Sequence, residues 1–78
     1  MMSFLQICKL ARELKLKVDA RSERYTWIHG FTLEGAKVFN EHLLKDGWLT
    51  NGIEKDLTTR EDNYYSIRFW KRRGGGYL

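Results

Sequence analysis

The chain has 78 residues, with 14 Lys and Arg against 10 Asp and Glu, for a net charge of +4. A chain this short makes one domain with a thin core, since it buries only about 60% of the surface it exposes when unfolded. Its one cysteine, Cys8, excludes an internal disulfide framework and a cysteine-rich metal cluster, and no run approaches the roughly 20 apolar residues of a membrane span.

In chain order, Ser3 has the character of a helix N-cap, and Gln6 completes a Ser-x-x-Gln capping box. Met2 and Ile7 take the positions of a hydrophobic staple. Phe4, Ile7, Cys8, Ala11 and Leu14 recur at helical spacing, which predicts a first helix over 4–14. Leu14, Leu16, Val18 and Ala20 then alternate with charges as a half-buried strand does, the alternative being that the first helix runs on to Leu16. After the polar turn Arg21-Ser22-Glu23, the β-formers of Arg24 to His29 read as a returning strand. Thr32 is a second N-cap, with Glu34 in the first turn. Ala36, Phe39, Leu43 and Leu44 form a stripe that Leu33 extends, and Asp46-Gly47 gives a stop, so a second helix is predicted over 33–45. Trp48-Leu49-Thr50 begins an extended segment that Asn51-Gly52 interrupts as a turn or a bulge. Ile53 to Thr58 continue or re-form the strand, Thr59 to Asn63 form a polar loop, and Tyr64 to Lys71 form the last strand.

The order α-β-β-α-β-β predicts an α+β domain over 1–73, two helices on an antiparallel sheet, with a glycine-rich flexible tail over 74–78. The rival is a winged helix, with the second helix reading DNA and residues 48–72 as the wing. Against it, the exposed face expected for that helix, Glu34, Lys37, Asn40, Glu41 and Lys45, is charge-balanced, whereas a duplex-reading helix adds positive charge. The rings Phe4, Trp27, Phe31, Phe39, Trp48 and Phe69 are expected to fill the core. Homodimerisation is another way to enlarge it. The start of the chain lacks the basic segment of a signal peptide, and with the lone thiol this predicts a cytoplasmic protein.

All of the net charge sits in residues 64–78, which hold Arg68, Lys71, Arg72 and Arg73 and no acid. Strand alternation divides this region into a core-like set, Tyr65, Ile67, Phe69 and Lys71, and a set of rings and bases, Tyr64, Ser66, Arg68, Trp70 and Arg72. Rings interleaved with guanidinium groups on an open sheet face suit single-stranded nucleic acid, where bases stack and phosphates meet cations. The expected contacts are Tyr64, Arg68, Trp70, Lys71, Arg72 and Arg73, with a single strand favoured over a duplex. The alternative is an inhibitor or adaptor of the kind found as short phage or plasmid products, docking the same strand on an acidic protein surface by hot-spot Trp and Arg or by sheet-edge addition.

Other residues carry little chemistry. His29 ends the predicted returning strand and His42 borders the stripe of the second helix. With one cysteine these make no zinc-ligand spacing and imply no cofactor. Cys8 on its apolar stripe reads as a small buried hydrophobe. Glu54, Asp56, Glu61 and Asp62 read as a solvated turn balancing the basic strand, and no catalytic set emerges.

Overall fold

The computed structural model of the chain describes residues 2–56 and 64–71. The capping signals become the helix ends. In α1 (Phe4–Glu13), the Ser3 hydroxyl accepts from the Gln6 amide at 3.2 Å while the Gln6 side chain accepts from the Ser3 amide at 2.8 Å. Two of the four amides left over at a helix start are thereby satisfied. Leu14, expected on the buried stripe, is instead the C-cap and 55% exposed. Lys15 follows with φ +66, its amide donating to the Arg12 carbonyl and that of Leu16 to the Ala11 carbonyl. This Schellman ending turns the chain, so the next strand starts at Lys17 and not at Leu14. The second helix, α2 (Leu33–Lys45), has the predicted bounds, with the Thr32 hydroxyl accepting from the Gly35 amide at 3.1 Å and Gly47 following its end at φ +92.

Four strands, β1 (Lys17–Ser22), β2 (Tyr25–Phe31), β3 (Trp48–Lys55) and β4 (Tyr65–Lys71), form one antiparallel sheet in the order β1-β2-β4-β3. The last strand of the chain is therefore internal, flanked by β2 and β3. His29 lies within β2 rather than at its end. Each ladder contains a bulge. In β2 it falls between His29 and Phe31, and in β3 between Thr50 and Ile53. Gly30 and Gly52 sit at these bulges with φ +98 and +83. A Cβ on Gly52 would meet no atom within 4 Å and one on Gly30 would meet Leu16 at an ordinary 3.8 Å, so the left-handed backbone and not crowding calls for glycine there. Asn51-Gly52 thus makes a bulge in one continuous strand, and no turn. The loop predicted over 59–63 and the tail over 74–78 lie outside the described residues.

Both helices bury their stripes on one face of the sheet. Ile7 and Ala11 of α1 and Ala36, Phe39 and Leu43 of α2 meet Ile28, Ile67 and Phe69 from the strands. Rings concentrate at one end of this core. Trp48 meets Phe69 edge-on at 5.4 Å between centroids, and Phe4 lies 6.0 Å from Phe69 and 6.4 Å from Trp48. Asp46 fixes that end by accepting from the Trp48 indole at 3.2 Å and from the Met2 amide at 2.9 Å. This α+β arrangement replaces the winged-helix alternative, since α2 is packed on the sheet instead of standing free as a reading helix. Asn40, assigned to its exposed face, accepts from the Thr50 hydroxyl at 2.7 Å and ties α2 to β3. Leu33 and Leu44, assigned to its stripe, are 41% and 50% exposed. Trp27, expected in the core, is on the opposite face of the sheet. Thr26 takes the inward position, fully buried, with its hydroxyl donating to the Ser22 carbonyl.

Phe69→Ala is expected to cost about 3–5 kcal/mol in urea unfolding, by removing the ring at the centre of the aromatic cluster. Lys15→Gly is expected to stabilise by about 1 kcal/mol in the same measurement, by relieving a side chain held at positive φ.

Candidate nucleic-acid interface

Burial of Thr26, Ile28, Ile67 and Phe69 turns their strand neighbours to the face away from the helices. There Trp27 pairs in register with Arg68, His29 with Ser66, and Leu49 with Trp70. Continuing the same register brings Tyr25 opposite Trp70. The Arg68 guanidinium lies between two indoles, its Cζ 5.7 Å from the Trp27 ring centroid and 5.2 Å from that of Trp70. Such contacts contribute about 0.5–2 kcal/mol each, more as they are desolvated. The Arg68 Nε is buried with no hydrogen-bond partner. Its backbone amide donates to Asn51 Oδ1 at 2.9 Å, and Asn51 Nδ2 donates to Glu54, the register partner of Ser66. The centre of this face is therefore a stacked Trp-Arg-Trp unit braced from β3.

Of the residues predicted as contacts, Arg68 and Trp70 come together on this face. Tyr64 stands just before β4, half-buried, its carbonyl accepting from the Asp56 amide at 3.0 Å. Lys71 ends β4 exposed, opposite Trp48 and away from the stack. Arg72 and Arg73 lie outside the described residues. Trp27 was missed as a contact because Tyr25 to Ile28 are all strand formers, and periodicity alone does not say which pair points inward. Asp56 was misread. It is 5% exposed, with Oδ1 3.3 Å from the His29 Nδ1, so the acid taken for part of a solvated turn is a buried partner of a histidine two strands away. Those two residues are 27 apart in sequence, and no local pattern links them. Glu54 is exposed, as expected.

Elsewhere the surface is less suited to an anion. A concavity of about 630 Å³ between α1 and α2 is lined mainly by Leu10, Leu14, Leu16, Phe31, Val38 and Phe39. Cys8 is buried, and desolvation pushes its thiol up from the usual range, against the lowering pull of Arg12, which makes it a poor nucleophile. Among the described residues no three His, Cys, Asp or Glu side chains gather as a metal site, and no helix is long and apolar enough to cross a membrane. Comparison of this chain with protein-family models, with curated proteins and with solved structures finds no match.

Asp56→Ala is expected to destabilise the fold by about 1–3 kcal/mol in urea unfolding, because the partly buried His29 imidazole loses its partner. The Cys8 thiol is expected to react with a disulfide reagent far more slowly in the native protein than in 6 M guanidinium, whereas comparable rates would show the α1 core to be open.

Proposed function

We propose that the chain is a small non-enzymatic domain that binds single-stranded nucleic acid across the open face of its sheet. The observation that carries this reading is the Arg68 guanidinium held between the Trp27 and Trp70 rings with its Nε unpartnered. Two indoles on a flat strand surface offer stacking area to bases of any identity. A cation fixed between them costs little further ordering when it meets a phosphate or a base edge. Tyr25 and Leu49 extend the apolar part of the surface on either side of Trp70. The positive charge of Lys71, Arg72 and Arg73 follows directly in the chain, which suits a backbone leaving the stack toward the end of β4. A single strand fits this surface better than a duplex, whose bases are already stacked on one another.

Binding is expected for single-stranded RNA or DNA at low salt, weakening steeply as salt rises. Trp27→Ala and Trp70→Ala should each weaken it by about 1–3 kcal/mol. Replacing Lys71, Arg72 and Arg73 by Gln should flatten the salt dependence while leaving the stacking contribution in place. Fluorescence anisotropy with single-stranded and duplex oligonucleotides at two salt concentrations measures all of this. Absence of binding at low salt would sink the proposal and leave docking on an acidic protein surface. In that case β4 would act by its side chains and not by edge addition, since β2 and β3 already occupy both of its edges.

A further inference from the structure

Glu54 is an unexpected residue on a face that binds nucleic acid, because a carboxylate repels phosphate. It lies on the open side, opposite Ser66 and diagonal to Arg68. It is also held in place: the Asn51 carboxamide donates to Glu54 Oε1 with one end and accepts from the Arg68 backbone amide with the other. A single side chain therefore fixes the acid beside the residue that carries the guanidinium. The two charges do not neutralise each other. Arg68 turns to the indoles, and among the described residues no ion pair joins it to Glu54. The face thus carries a carboxylate acceptor and a guanidinium donor on diagonal positions of neighbouring strands, the guanidinium lying against stacking rings.

We infer that Glu54 and Arg68 read guanine in the single strand, an assignment that rests on the proposed function and narrows it. Guanine presents N1–H and N2–H₂ as adjacent donors beside the O6 acceptor. A carboxylate accepts from both donors, and a guanidinium donates to O6. Glu54 retains free lone pairs for this with one acceptor site taken by Asn51. Adenine and cytosine each place a lone-pair-bearing ring nitrogen next to a single amine, and uracil flanks its one N–H with two carbonyls. Each sets an acceptor against the carboxylate, and a mismatch of that kind is where base discrimination arises. Glu54 is then a specificity-determining residue, and Trp27 and Trp70 supply affinity without regard to base.

The experiment uses fluorescein-labelled heptanucleotides of uridine carrying one central guanine, inosine, adenine or cytosine, together with the all-uridine strand. The guanine strand is expected to bind about ten-fold more tightly than the adenine, cytosine or all-uridine strands, with inosine, which lacks the N2 amine, in between. Glu54→Gln keeps an oxygen for Asn51 but removes the paired acceptors. It should bring the guanine strand down to the level of the others without weakening those. Trp27→Ala should weaken all strands alike. Circular dichroism matching the parent protein confirms that each variant is folded. Equal affinity of the parent protein for all strands, or a guanine preference that survives Glu54→Gln, overturns the guanine assignment and leaves single-strand binding standing. Failure of every strand to bind at low salt overturns the proposed function itself.

Discussion

Two side chains on one internal strand set the rest of the molecule. Ile67 and Phe69 of β4 are fully buried, and their burial fixes which way that strand faces. With both strand edges paired and both rows of side chains committed, β4 has no freedom to slip: a shift by one residue would exchange Ile67 and Phe69 with Ser66, Arg68 and Trp70. The same burial that holds Phe4 and Trp48 against Phe69 therefore aims Arg68 at the face away from the helices. Stability and exposure of the candidate site are two sides of a single register.

The site itself depends on an unusual balance for arginine. A guanidinium with Glu54 diagonal to it on the neighbouring strand could have closed an ion pair, which at a partly exposed position contributes little. It rests on two indoles instead, where its charge is felt by the rings and its hydrogen-bonding capacity is only partly spent. Asn51 makes this arrangement stable, since it engages Glu54 and the strand backbone at once and keeps the acid from reaching across. Rigidity here comes from packing and from a side-chain amide, so it persists where salt screens charge.

The helices and the order of elements were legible because their signals are local. Ser3 with Gln6, Thr32, and Asp46-Gly47 act within one turn of where they sit, and the bounds of α2 follow from them. The two sets of β4 were legible as well, because alternation leaves only two choices, but which set points inward was not, since Phe69 and Trp70 put a ring on each face. What sequence did not carry was anything decided by a partner far along the chain. Trp27 against Thr26 was settled by the packing of the fully buried Ile28 beneath the helices, and Asp56 against a solvated acid was settled by His29. The strand start was misjudged for another reason. Lys15 adopts a conformation that glycine usually supplies, so the Schellman ending left no mark in the residues.

The bulges at Gly30 and Gly52 act as half-period phase shifts. Ahead of Gly52, Trp48 and Thr50 share the inward phase. Beyond it that phase passes to Ile53, and Glu54 moves outward. At Gly30 the inward phase passes from Ile28 to Phe31. The open face is thus assembled from strand segments of opposite parity, and one inserted residue in each of two strands keeps them in step. Point substitutions on this face can change its chemistry one group at a time. Deletion of Gly52 would return β3 to plain alternation with Ile53 still inward and Glu54 still outward, so the bulge is a place where this strand can lose a residue without exchanging its faces.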